Sequence, residues 1–159
     1  MTVPPEEFKA LVEYANSTEN FVANKVNIIA GKDNSGVECW TIMAFQDIFE
    51  KGQRPHEIRA IHIILPKSSL AAEVDLSPAA SAELKINSAS YFKIINIDYE
   101  TKKSTELTYL GKEGSIKYKW STDPSQAEGN FGFTSIDNNN QPFKVNGYFH
   151  ILNRGAHTI

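Results

Sequence analysis

Between Ser115 and Ser121 the chain alternates, and that alternation constrains its fold more than any other feature. Ile116, Tyr118 and Trp120 fall on one side of an extended backbone, Lys117 and Lys119 on the other, the period of two that marks a half-buried strand. The same pattern gives Ser90–Glu100, with Ile95, Ile97 and Tyr99 on one face. It gives Ser104–Leu110, with Thr105, Leu107 and Tyr109 against Glu106 and Thr108, then Asn130–Ile136, with Phe131 and Phe133 together, and Gln141–Leu152. Thr101-Lys102-Lys103, Gly111-Lys112-Glu113-Gly114 and Asp137-Asn138-Asn139-Asn140 punctuate these runs, and a Pro/Ser/Gln loop lies at 122–128. Strands joined by turns this short run antiparallel. The expectation is a meander of about five strands, at the spacing of a sandwich or barrel. Asn146-Gly147 is a hairpin dipeptide that would split the last strand. Phe143, Val145, Phe149 and Ile151 nevertheless keep one phase across it, so the reading is one long strand with a bulge or glycine kink at Gly147.

Upstream, Phe8, Leu11, Val12 and Ala15 recur at i, i+3, i+4 and i+7, which predicts a short helix over 5–16. Pro5 suits its first turn, and Glu6 and Glu7 suit the positive end of its dipole. Asn16-Ser17-Thr18-Glu19-Asn20 ends it. Val26–Ala30 and Val37–Phe45 then form a hairpin around Gly31-Lys32-Asp33-Asn34-Ser35-Gly36. Asp47–His56 reads as a loop with a helical turn at Ile48-Phe49. Glu57–Leu65 is apolar on both faces, through Ile58, Ile61, Ile63, Ile64 and Leu65, as a strand central in a sheet would be. Pro66–Ser81 is a crossover, a flap or partly helical segment. The whole reads as a single domain, 1–159, with the helix at about 5–16, the β domain at about 24–152 and the loop or crossover at about 66–81. The fold class is mostly β: an antiparallel β-sandwich, with a barrel as the alternative, and a short N-terminal helix.

Glu128-Gly129-Asn130-Phe131-Gly132-Phe133, followed by Phe143-Lys144-Val145-Asn146-Gly147-Tyr148-Phe149-His150-Ile151, resembles the closing strands of uncharacterised bacterial β-sandwich domains. In those, a Gly-x-Phe-x-Phe strand precedes an Asn-Gly-x-Phe strand. The resemblance covers residues 128–151 and implies the fold. It implies no activity and supplies no catalytic residue. Such domains are usually secreted, whereas Met1–Glu7 has neither the basic nor the apolar region of a signal peptide.

Composition excludes several function classes. Sixteen basic residues face nineteen acidic ones, for a net charge of −3, so no global field draws the chain to nucleic acid or to an anionic membrane. The densest basic segment, Lys112–Lys119, contains Glu113, and its lysines oppose its rings. No apolar run reaches the roughly 18 residues of a membrane span. Cys39 is the one cysteine, which fits a reducing compartment better than a secreted one. The expected location is the cytoplasm.

No Gly-x-Ser-x-Gly, Walker A or Gly-x-Gly-x-x-Gly segment occurs, and no catalytic set is legible. Among His56, His62, His150 and His157 no pair has metal-ligand spacing. His62 and His150 both lie on strands and could converge across a sheet. Tyr118 and Trp120 share a strand face that would stack on sugars or bases if exposed and form core if buried. His62, His150, Tyr118 and Trp120 are therefore the ligand-binding candidates. Cys39, inside an apolar strand, reads as an inert thiol. Glu57, Glu73, Asp75, Glu83, Asp98, Glu100 and Glu106 show no pairing that forces two carboxylates together. Asp137-Asn138-Asn139-Asn140 lacks the glycine and distal Glu of an EF-hand loop and reads as a polar turn. Asn16-Ser17-Thr18 matches a glycosylation sequon. The expectation is a non-catalytic binding or protein-interaction module without metal or cofactor, its partner a protein or a small molecule. The alternatives are a binder or hydrolase with a pocket between the sheets, gated by 66–81, and an acidic inhibitor of a basic protein.

Overall fold

The computed structural model describes residues 6–50, 52, 54–78, 85–122 and 125–153, which form strands and, among the described residues, no helix. The strands are β1 (Glu7–Glu13), β2 (Thr18–Val22), β3 (Lys25–Lys32), β4 (Glu38–Ile48), β5 (Glu57–Pro66), β6 (Ala71–Asp75), β7 (Ser88–Asp98), β8 (Lys103–Leu110), β9 (Glu113–Thr122), β10 (Ser125–Ile136) and β11 (Pro142–Leu152). They build a six-stranded sheet in the order β2-β1-β11-β10-β9-β6 and a five-stranded sheet in the order β3-β4-β5-β7-β8. Every pairing is antiparallel. Both sheets keep two free edges, so neither closes into a barrel.

The inner faces meet in one core. From the six-stranded sheet come Phe8, Phe21, Ile116, Tyr118, Trp120, Phe131, Phe133, Phe143, Val145, Phe149 and Ile151; from the other, Ile28, Ile42, Ile61, Ile63, Leu65, Tyr91 and Tyr109. Rings join the layers: Trp40 lies 5.3 Å from Trp120, and Tyr109 meets Phe143 edge-on at 5.2 Å. Burying these rings removes large apolar areas from water, the main stabilising term for such a fold. β5 is central in its sheet, as its two apolar faces predict.

The N-terminal helix is replaced by β1, whose burial alternates: Phe8, Ala10 and Val12 face the core, while Lys9, Leu11 and Glu13 face solvent. The helical stripe depended on Leu11 and Ala15, both exposed. A segment paired on both sides, by β2 and β11, satisfies its backbone between strands, and tertiary pairing overrides the local period. Pro5 lies outside the described residues. β2, an edge strand that begins inside the segment read as a helix terminator and runs to Val22, is a further departure.

The meander is also interrupted. β7–β8 form one hairpin and β9–β10–β11 a three-stranded run in the other sheet; β8 and β9 do not pair. The switch falls at Gly111-Lys112. The Gly111 N–H donates to the Ala89 carbonyl in one sheet (2.9 Å), and the Lys112 N–H to the Thr134 carbonyl in the other (2.8 Å). A Cβ on Gly111 would lie 2.6 Å from the Ala89 oxygen, so this corner requires glycine. β11 runs unbroken through Asn146-Gly147, with continuous register against β10 and no bulge. Ile48 ends β4 rather than starting a helical turn. The crossover at 66–81 carries β6 from the five-stranded sheet to the edge of the six-stranded one; 79–81 lie outside the described residues. The 122–128 loop shrinks, since β9 reaches Thr122 and β10 begins at Ser125.

Candidate functional site on the outer face of the six-stranded sheet

Strand alternation sends every second residue of β9, β10 and β11 away from the core. Cross-strand register then aligns these residues in rows. Lys119, Glu128 and His150 form one row; Lys117, Asn130 and Tyr148 form the next. Neighbours in a row sit on strands about 4.8 Å apart. Together the two rows line a cleft of about 510 Å³. In the following row, Ser115, Gly132 and Asn146, glycine places no side chain on the floor. A second cleft of about 340 Å³, lined by Ser115, Gly132, Thr134, Lys144 and Asn146 among others, continues there.

The chemistry of this surface is open. Lys117, Lys119, Glu128, Asn130 and Tyr148 are exposed, Tyr148 at 44%. Among the described residues, the side chains of Lys117, Lys119, Glu128 and Asn130 make no hydrogen bond or ion pair. His150 is half-buried, and its Nδ1 is buried without a hydrogen-bond partner in the protein. The arrangement offers ammonium donors, a carboxylate acceptor, an amide and an imidazole capable of both, and one accessible ring.

Of the four candidates, His150 and Tyr118 border this cleft, and only His150 lies at an outward-facing position of its strand. Tyr118 and Trp120 lie on the inner face at 3% and 7% exposure, with Tyr118 Oη and Trp120 Nε1 buried and unpaired. His62 projects from the outer face of the opposite sheet. Its ring packs 4.4 Å from Phe92 in a smaller cleft of about 180 Å³, with Phe45, Ile58, Ala60 and Ile94. Burial there lowers its pKa from 6.5 to about 4, because desolvation disfavours the imidazolium. The two histidines therefore do not converge. His56 is exposed in the loop before β5, and His157 lies outside the described residues. Cys39 is 1% exposed, and burial together with the nearby Asp33 charge raises its pKa. The Asp137 carboxylate is occupied by its own turn, accepting from the Asn139 and Gln141 amides at 2.9 Å each. Among the described residues no group of three or more His, Cys, Asp or Glu could hold a metal ion, and no helix is long and apolar enough to cross a membrane.

A second polar cluster bridges the sheets at one end. Glu19 faces inward from the edge strand β2, accepting hydrogen bonds from Tyr14 Oη at 2.7 Å and Tyr91 Oη at 3.2 Å. Its other oxygen meets Lys93 Nζ at 2.7 Å and Arg59 at 3.2 Å, and Arg59 also pairs with Glu57. Burial by itself pushes the Glu19 carboxyl up. Hydrogen bonds from Lys93 and Tyr14 and the charges of Lys93 and Arg59 outweigh it, so the group is held below the usual carboxylate value. Burial and the Glu19 charge raise Tyr91; burial and the Glu19 hydrogen bond raise Tyr14. Every acid and base here is matched, which makes the cluster a clasp between layers. Sequence reading missed it because Glu19 sits 72 and 74 residues from Tyr91 and Lys93. The available cue was two cations, Arg59 and Lys93, at inward-facing positions of β5 and β7.

No family model, curated protein or solved structure matches the chain.

Proposed function

We propose that this chain is a non-catalytic binding module, built as an antiparallel β-sandwich, that holds its ligand on the outer face of β9, β10 and β11. One observation carries the reading: a cleft of about 510 Å³ is ringed by polar side chains that have no partner of their own among the described residues. Exposed side chains normally face bulk water without consequence. Here they surround a concavity beside an exposed ring and a half-buried imidazole, which is how recognition sites are composed. Glu128 is the one carboxylate lining the cleft among the described residues, whereas two-carboxylate hydrolysis needs a second across the bond. Among the described residues the cleft therefore lacks the pair that such hydrolysis uses, and we take it as a binding surface. The segment resembling bacterial β-sandwich domains falls on β10 and β11, which supply four of the six outward side chains. The unpaired Cys39 favours a reducing compartment such as the cytoplasm.

The test is a thermal-shift screen over metals, sugars, nucleotides and lipids, run on the protein and on the Asn130→Ala, Tyr148→Ala double variant. Both residues are exposed, so the variant should melt with the parent. A ligand that raises the midpoint of the parent and not of the variant supports the reading. A ligand that stabilises both equally places its site elsewhere.

A further inference from the structure

The outer cleft also carries the chemistry of its occupant, and the following rests on that cleft being the binding site. We propose that it takes a neutral polyhydroxylated ligand, a pyranose oligosaccharide laid across β9, β10 and β11 with one sugar ring against Tyr148. Three features of the surface lead there.

The first is the ring. Tyr148 is 44% exposed at the side of the cleft, while Tyr118 and Phe149, which also border it, are buried at 3% and 2%. A single accessible aromatic face offers a platform for an apolar surface about one ring wide. The C–H face of a pyranose is such a surface, and an extended apolar peptide would need more.

The second is the mixture of donors and acceptors. Sugar hydroxyls donate and accept, so they need both kinds of partner within reach. Asn130 supplies both, Glu128 accepts, and Lys117 and Lys119 donate. All six outward side chains lie on adjacent strands. The strand spacing of about 4.8 Å is comparable with the length of one pyranose residue, so a linear glycan crossing the strands presents successive sugars to successive strands.

The third is charge. Lys117 stands opposite Glu73 across β6–β9, Lys119 opposite Glu128, and His150 between Glu7 and Glu128. Lysines and glutamates are therefore interspersed on this face rather than segregated by sign. No single-sign field is built, which disfavours a polyanion such as nucleic acid or a sulfated glycan.

The experiment is calorimetric titration of the full chain with cellohexaose, laminarihexaose, xylohexaose, mannohexaose and chitohexaose, with a heparin hexasaccharide and a single-stranded oligonucleotide as anionic comparisons. At least one neutral hexasaccharide is expected to bind, with affinity nearly independent of salt. Tyr148→Ala should weaken that binding about tenfold or more, and Tyr148→Phe, which keeps the ring, should retain most of it. The proposal is overturned if none of the five binds at millimolar concentration, if Tyr148→Ala leaves binding intact, or if an anionic ligand binds more tightly and weakens steeply with salt. Amide NMR separates this failure from that of the site itself. A ligand of another class that shifts the Lys117, Asn130 and Tyr148 amides leaves the cleft as the site and removes only the sugar. A ligand that shifts amides elsewhere removes both.

Discussion

Replacing Glu19 by Gln tests the inter-sheet clasp. The substitution preserves volume, and the new amide oxygen can still accept from Tyr14 and Tyr91. What it removes is the charge facing Lys93 at 2.7 Å and Arg59 at 3.2 Å. Arg59 retains Glu57, so the loss falls mainly on Lys93, whose side chain is 15% exposed. Breaking a fully buried pair costs about 3–5 kcal/mol, and an exposed pair is worth about 0–1 kcal/mol. With Glu19 at 17% exposure, the intermediate expectation is about 2 kcal/mol, or roughly 4–8 °C in Tm for a domain of this size. The control is Glu7→Gln, which breaks the exposed Lys9–Glu7 pair and should cost about 0–0.5 kcal/mol. Urea unfolding across pH adds a sign. The folded carboxyl of Glu19 lies below its ordinary value, so its contribution is present above the unfolded pKa and is lost as pH falls through the folded one. The gap between parent and Glu19→Gln should therefore close on acidification. A neutral-pH difference no larger than that of the control, or a gap that persists in acid, would refute the clasp.

Three further outcomes follow from the same structure. His62, with its pKa depressed to about 4, contributes stability that is full above about 6.5 and lost as pH falls from there towards 4; His62→Gln should flatten this part of the urea-unfolding pH profile, a change of about 2–3 kcal/mol. Gly114 has φ +149°, and a Cβ there would lie 2.7 Å from Phe133 Cα and closer still to the Gly132 carbonyl, so Gly114→Ala should lower stability by about 2 kcal/mol or more, and a variant that melts with the parent would contradict the β9–β10 register. Cys39 should react with a thiol reagent slowly in the native protein and quickly in denaturant; fast stoichiometric labelling of the folded chain would contradict its burial.

The C-terminal strands were legible because local pattern and tertiary placement agree there. Ile116, Tyr118 and Trp120 turn inward and Lys117 and Lys119 outward, as alternation predicts, and the unbroken phase of Phe143 to Ile151 correctly outweighed the Asn146-Gly147 turn signal. Two features were hidden for opposite reasons. In β1, Leu11 sits by coincidence at a helical spacing and masks the period-two set Phe8, Ala10 and Val12. At Gly111-Lys112 the turn residues are real, but whether a glycine turn closes a hairpin or switches sheets depends on the partners of two successive amides, Ala89 and Thr134, which are distant in sequence. The site was legible only through His150. The residues that share its cleft, Lys117, Lys119, Glu128, Asn130 and Tyr148, look individually like ordinary solvent-facing positions. Their convergence comes from the registers of β9, β10 and β11. Tyr118 and Trp120 drew attention as aromatic rings, yet the alternation that exposes Lys117 and Lys119 buries them.

The central claim is that the outer face of β9, β10 and β11 holds the ligand. Its most direct test is amide chemical-shift mapping by ¹⁵N NMR, using the first compound that stabilises the protein in the thermal screen. The account predicts that the largest shifts fall on Lys117, Lys119, Glu128, Asn130, Tyr148 and His150, with residues of the opposite sheet such as Phe45, His62 and Phe92 unmoved. Shifts concentrated on Phe45, His62 and Phe92, with the β9–β11 face silent, would contradict it.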